Sequence, residues 1–246
     1  MLNCKPTPTP VDTKAKVSAL EGSLASDAAY HSIVGSLQYL MLTRPDLQYA
    51  VQQVCLYMQA SRDSHWTLVK RILHYICSTM SLGLTLTAYA STDLVAYSNA
   101  DWAGCPDTRC STSGYCIYLG PSLISWSSKR QPTLLQELLC DVHKATLVYC
   151  DNVSAVYLSA NPVHRRRMKH IELDIHFVHE QVALGRVQVL HVSTTQQFAD
   201  VMTKGLPTPV FEEFRSSLCV SGDASTAGGV EYVFCIARVL KLWSTS

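Results

Sequence analysis

This sequence predicts an α/β fold: a mixed sheet with flanking helices, preceded by a small helical segment. Three observations predict it. Residues 28–80 carry apolar side chains at helical spacing. Residues 84–129 switch to a period near two, rich in β-branched and aromatic residues. Beyond them short strands alternate with helices, the pattern of a layered α/β domain.

Composition permits that fold. At 246 residues the chain suffices for one large domain or two small ones. It is 48% hydrophobic and 16% charged, so it can bury a core and is not disordered by composition. A net charge of +1 neither demands nor excludes a nucleic-acid partner, and any basic patch must be local. The ten cysteines include no C-x-x-C pair, and Cys105, Cys110 and Cys116 lack zinc-knuckle spacing. The stretch "MLNCKPTPTPVDTKAK" has no apolar signal core. The thiols are therefore expected to be reduced, mostly small core residues, in an intracellular protein of cytoplasm or nucleus. No apolar run approaches the ~18 residues needed to span a membrane.

In order along the chain, residues 1–27 form an extended lead-in rich in Pro, Thr and Ser. In "YHSIVGSLQYLMLT", Ile33, Leu37, Leu40 and Met41 mark a helix. Pro45 stops it and suits the first turn of the next, "PDLQYAVQQVCLYMQA". Ser61 and Asp63 offer capping oxygens to a third helix with face Trp66, Val69, Leu73 and Ile76. From 84 on, "LTLTAYA", "LVAYSN", "SGYCIYLG" and "LISWSS" read as strands. "LLQELLC" (134–140) reads as a short helix, "ATLVYCDN" as a strand ending at Asp151, and "VSAVYLSAN" as a helix. The basic "RRRMKHIELDIHFVHEQVALG" enters a helix closed by Gly185. "RVQVLHV" is a strand, and "TQQFADVMTKGL" and "PVFEEFRSSL" read as helices. Residues 220–246 are a linker and an unassigned apolar tail at 230–243.

Ligands of such sheets gather beyond the carboxyl ends of strands. Asn99 and Asp151 occupy strand ends, and Asp200 starts a late helix. These residues sit in long strings: "YSNADWAGCPDTRCSTSGYCIYLG", "LISWSSKRQPT", "LVYCDNVSAVYLSANPVH", "KHIELDIHFVHE" and "FADVMTKGL". Together they closely resemble the ribonuclease H region of plant copia-type retrotransposon polyproteins. "YHSIVGSLQYLMLTRPDLQYAVQQVC" and "HWTLVKRILHYI" resemble the end of the preceding reverse transcriptase. The resemblance covers residues 1 to about 219.

The resemblance implies a ribonuclease H-like fold over 84–219 and a thumb or connection remnant over 28–83. It implies Mg²⁺-dependent hydrolysis of RNA in RNA–DNA hybrids, with two ions held by converging carboxylates. Of the family's four acids, the third and fourth match Asp151 and Asp200. The first belongs where this chain has Asn99, a neutral amide. The second, a Glu in an "A-E-A-E-Y" helix after "KRQPT", is absent, because "KRQPT" runs straight into "LLQELL" across a deletion near 133–134. Asp101 cannot replace position 99, since two strand residues displace it by about 6.8 Å. Glu137 matches the far end of the shortened helix, not the lost motif. The strand-to-strand connection before "LVYCDN" must also cross about three strand spacings, roughly 14 Å, in few residues. No two Asp are adjacent, so the acidic turn of a polymerase is missing.

Each candidate has a plainer reading. Asp151 also suits a turn, and Asp200 could cap the following helix. Arg165, Arg166, Arg167 and Lys169 form the densest basic cluster and suit phosphate contact; the alternative is a solvated helix entry. His170, His176 and His179 lack a cysteine pair, so zinc is not supported. Trp102 and Trp126 are read as core rather than base-stacking residues. The expectation is a truncated polyprotein fragment, a degenerate ribonuclease H with weak or lost Mg²⁺ binding. Its partner is nucleic acid, not a membrane or a small-molecule substrate. The alternatives are a non-catalytic nucleic-acid binder and a remnant without selected function.

Overall fold

The structure, a computed structural model, describes residues 5–13, 17, 22–23, 27–87, 93–101, 104–105, 110–131, 145–160 and 172–222. The expected helix at 134–140 with Glu137, Trp102, the basic run Arg165–Lys169, His170 and the tail 230–243 lie outside the described residues. In chain order the elements are α1 (Asp27–Leu40), a 3-10 turn at Pro45–Leu47, α2 (Gln48–Cys55), α3 (Asp63–Ser78) and β1 (Gly83–Leu84). Then come β2 (Leu94–Asp101), β3 (Ser111–Leu119), β4 (Ser122–Gln131), β5 (Thr146–Cys150), α4 (Val153–Ala160), α5 (Glu172–Ala183) and β6 (Val187–His191). Two 3-10 turns, Thr194–Gln196 and Phe198–Met202, precede α6 (Thr208–Ser217) and β7 (Val220–Ser221). Among the described residues no helix is long and apolar enough to cross a membrane.

The chain divides into two compact units, one of residues 1–86, 105–108 and 204–246, the other of 87–104 and 109–203. The first is helical. Its core gathers Ile33, Leu37, Val51, Val54, Val69, Leu73 and Ile76, the apolar stripes of α1, α2 and α3. Within it lies a polar network that the sequence did not announce. Arg44, fully buried, donates from Nε and Nη2 to both Asp46 oxygens at 2.8 and 2.7 Å. Its Nη1 and Nη2 also reach the Thr79 carbonyl and hydroxyl, each at 2.9 Å. The Tyr75 hydroxyl donates to Asp46 Oδ2 at 2.7 Å. A buried charge is tolerated when it is paired and its remaining hydrogen bonds are made, as they are here.

Several expectations about this unit are corrected. Helix α2 ends at Cys55 rather than continuing to Ala60, because the Tyr57 ring stacks on His65 at 3.8 Å and its hydroxyl donates to the Val17 carbonyl. Neither Ser61 nor Asp63 is the N-cap of α3. That place is Arg62, whose backbone N–H donates to His65 Nδ1 at 3.1 Å. The described residues of the lead-in between 5 and 23 have no helix or strand, and residues 9–12 are pinned to α3. Arg71 donates to the Thr9 carbonyl and hydroxyl at 3.2 and 3.0 Å and pairs with Asp12 at 3.4 Å. Of the described residues of "LTLTAYA", 84–87, strand is confined to Leu84, since the backbone N–H and C=O of Thr87 are both taken by the Ser122 hydroxyl. Residues 204–222 group with the helices of the first unit. The Phe211 ring packs edge-on against Tyr75 at 5.8 Å, and β7 pairs antiparallel with β1.

The second unit is a five-stranded mixed sheet ordered β4-β3-β2-β5-β6. β2, β3 and β4 pair antiparallel, while β2–β5 and β5–β6 are parallel. The connection from β4 to β5 therefore crosses three strand positions, as expected. Strand β4 runs to Gln131, further than "LISWSS", because its ladder with β3 continues down to Ser111. One sheet face holds the apolar cluster Ala96, Ile117 and Val148, backed by Leu94, Tyr115, Val187 and Val189. On the other, Tyr97 meets Tyr149 at 5.2 Å, Phe198 at 4.8 Å and Tyr118 at 5.8 Å. Gly185, at φ +68, closes α5 in the left-handed conformation that suits glycine. Of the seven described cysteines only Cys105 and Cys116 are buried; the rest are half-buried, short of the core role expected for most. None forms a disulfide with another described cysteine.

Candidate functional site

Strand alternation puts Val95, Tyr97, Asn99 and Asp101 of β2 on the aromatic face. The parallel register pairs Tyr97 with Tyr149. Continued by two residues, it brings Asn99 level with Asp151, the first residue past β5, on neighbouring strands about 4.8 Å apart. Both are half-buried.

Asp200 reaches the same face from the Phe198–Met202 turn. "TQQFADVMTKGL" was expected as a helix, but its bonds run i to i+3: Asp200 N–H to the Gln197 carbonyl at 3.0 Å, Thr203 N–H to the Asp200 carbonyl at 3.1 Å. This tighter coil is 3-10. Nor does Asp200 cap it. Gln197 does, accepting from the Ala199 N–H at 3.3 Å, while its own amide nitrogen donates to the Ser98 carbonyl at 3.1 Å. Gln197 thereby ties the turn to β2 one residue before Asn99.

Gly114 makes the close approach possible. It stands directly opposite Asn99 in the β2–β3 register. A Cβ there would collide with Met202 Cβ and lie 3.0 Å from Thr203 Cγ2. Only glycine lets the turn lie this close to β3.

The result is a polar knot. Asn99 Nδ2 donates to Asp200 Oδ1 and lies 3.3 Å from Thr203 Oγ1. Asn99 Oδ1 accepts from the Ala100 N–H at 2.6 Å. Asp200 is 2% exposed, and Gln197 and Thr203 are fully buried. Beyond β5, Asn152 Oδ1 accepts the Ser154 and Ala155 N–H groups at 3.0 and 3.2 Å, so Asn152 rather than Asp151 caps α4. The neighbouring Cys150 thiol is pushed up by burial and by the Asp151 charge, against a backbone hydrogen bond from Asn152.

These donors do not fit a pair of divalent cations. Both ends of the Asn99 amide are committed to protein groups, and its N–H takes one Asp200 oxygen. Among the described residues no group of three or more His, Cys, Asp or Glu side chains gathers at one place. Mg²⁺ needs several oxygen ligands in near-octahedral array. His179 stands half-buried on α5, and of His176 only the backbone is described. Trp126 is half-buried on β4.

Sequence reasoning singled out Asn99, Asp151 and Asp200 but missed Gln197, Thr203 and Gly114. The glycine in "STSGYC", in mid-strand, was the one available signal, since an interior strand glycine often marks a close approach.

The fold and site define a mixed α/β sheet protein with an amide–carboxylate pair at its strand tips. The retrovirus-related Pol polyprotein from transposon RE2 of Arabidopsis thaliana is 42% identical over 256 residues, covering 94% of this chain and 18% of that protein. That from transposon RE1 of the same plant is 41% identical, covering 90% and 17%. That from transposon TNT 1-94 of Nicotiana tabacum is 34% identical, covering 86% and 18%. The chain belongs to these retrovirus-related Pol polyproteins of plant transposons, and it spans less than a fifth of the length of the relatives named. No family profile matches the chain, and no solved structure matches it.

Proposed function

We propose that the second unit is a ribonuclease H-like module of a retrotransposon Pol polyprotein. In this reading it has lost hydrolysis of RNA in RNA–DNA hybrids and keeps affinity for nucleic acid. The strand order, with its three-position crossover, supports the fold assignment. The observation that carries the loss of hydrolysis is Asn99 donating to Asp200. A metal-assisted displacement needs carboxylates free to hold cations beside the scissile phosphate. Here one such place is an amide and its neighbour is hydrogen-bonded to it. Among the described residues no group of three or more His, Cys, Asp or Glu side chains gathers around Asp151, which is half-buried and level with Asn99. The Pol ancestry supports nucleic acid as the partner, and the Arg165–Lys169 cluster suits phosphate contact by its charge.

The test incubates the full chain with a labelled RNA–DNA hybrid and Mg²⁺ or Mn²⁺. The expected result is retention of the hybrid with steep salt dependence and no cleavage. Cleavage that Asp151→Ala abolishes overturns the loss of hydrolysis. Absence of binding by a folded sample overturns the binding role.

A further inference from the structure

We propose that the outward face of α1 is a docking surface for the apolar tail of this same chain, residues 230–243, folded as a helix.

Helix α1 buries Tyr30, Ile33, Val34, Leu37 and Leu40 on one side. Its other side carries a groove of about 520 Å³. The small residues Ser32, Gly35 and Ser36 line the middle, and Tyr39 and Leu42 line the end nearest the α1 C-terminus. A Cβ on Gly35 would meet no described atom within 4 Å, so the middle of the groove is open. Tyr39 and Leu42 are 65% and 71% exposed. Clustered apolar exposure beside an open groove is a feature of docking surfaces.

The tail sequence supplies a matching helix. "VEYVFCIARVLKLW" contains neither Gly nor Pro. Tyr232, Ile236, Val239, Leu240 and Trp243 recur at i, i+4, i+7, i+8 and i+11, one helical face. Glu231, Arg238 and Lys241 fall together on the opposite face. These 14 residues would span about 21 Å as a helix, the length of the 14-residue α1. Small side chains in the middle of one helix leave room for bulky ones from the helix facing it.

The chain also leaves the first unit at the right place. Strand β7 pairs Val220 with Leu84 and Ser221 with Gly83. The Leu84 N–H in turn donates at 3.1 Å to the carbonyl of Thr43, the residue after Leu42. The departing chain therefore starts beside the Tyr39–Leu42 end of the groove. Residues 222–229, "GDASTAGG", are a linker by composition. A linker of that length spans about 16 Å, and it falls within the usual range for joining antiparallel helices. The tail can thus turn back and run antiparallel along α1.

Hydrogen–deuterium exchange of the full chain, read by mass spectrometry, tests this. In the wild type the amides of 232–243 are expected to exchange at least about 10-fold more slowly than in an unstructured peptide of that sequence, a factor that burial of one leucine-sized side chain supplies. Leu42→Asp combined with Tyr39→Ser is expected to bring tail exchange within about 2-fold of the unstructured rate. Gly35→Leu, which fills the groove without adding charge, is expected to do the same. Leu86→Asp, at a position 64% exposed that does not line the groove, leaves the tail protected. Peptides of α3 in the same run report whether each variant is folded, and should the double variant not fold, Gly35→Leu decides. A tail unprotected in the wild type overturns the docking. A tail still protected in the folded groove variants, or released equally by Leu86→Asp, overturns the site. Protection that is lost on dilution, with a dimer in sedimentation, gives the face to a second copy and overturns the contact within one chain.

Discussion

Asn99→Asp puts a carboxylate in place of the amide, and it sets that group against a carboxylate already in place. Asp200 is 2% exposed and accepts the Asn99 amide. In the variant an oxygen replaces the donating nitrogen, so a charge-assisted hydrogen bond is lost and two anions meet. At about 4 Å and an effective dielectric near 20 their repulsion is about 4 kcal/mol. The pair escapes by keeping one proton. Near pH 7 that costs about 1.4 kcal/mol for each of roughly three pH units, again about 4 kcal/mol. The two routes agree, so the variant is expected to lose ~4 kcal/mol at neutral pH in a chelator, or about 10 °C in melting temperature. The sign with pH follows. The folded variant holds a proton that the unfolded chain releases in the ordinary carboxylate range, so the deficit is small below that range and grows as pH rises. Near pH 4.5 it is expected to shrink to about 1 kcal/mol. Urea melts of both proteins at the two pH values, with chelator and then with Mg²⁺ or Mn²⁺, provide the assay. A variant as stable as the wild type near pH 7 in chelator refutes the amide–carboxylate pair.

Three further outcomes are expected. Asp46→Asn leaves Arg44 buried without its counter-charge and costs about 3–5 kcal/mol, whereas Tyr75→Phe removes the hydroxyl's bonds to Asp46 and from Arg215 and costs about 1–2 kcal/mol, both read by urea denaturation. Gly114→Ala drives a Cβ into Met202, so the Phe198–Met202 turn must lift from β3; near-UV circular dichroism of the Tyr97–Phe198 cluster reports it, and an unchanged spectrum contradicts the close approach. The Tyr30 and Tyr75 phenols are both pushed up by burial, Tyr75 further by Asp46. Their folded-state proton affinity exceeds that of the unfolded chain, so their contribution is present below about pH 10 and lost above it. Ultraviolet titration should show two tyrosines ionising only as the chain unfolds.

The helices were legible because their apolar stripes recur every three to four residues. The central strands were legible because their faces alternate. Asn99, Asp151 and Asp200 were legible as the positions to watch. Element ends were less so. Tyr57 abandons α2 to stack on His65, and the Ser122 hydroxyl takes both backbone groups of Thr87. Each is decided by a residue distant in sequence.

By itself the sequence determined the neutral amide at position 99, the order of the helical and strand-rich segments and the kinship with Pol polyproteins, because these are written in residue identity and local period. Only the tertiary structure decided what that amide is bonded to. Asn99 and Asp200 lie 101 residues apart, and their hydrogen bond exists because Gln197 holds a 3-10 turn to β2 and Gly114 leaves room beneath it. Likewise Arg44 has its counter-charge close by in Asp46, but it is buried because Tyr75 and Thr79, about 30 residues on, close over the pair. Periodicity reports which face a residue takes; a donor and its acceptor are matched only when distant segments are folded onto one another.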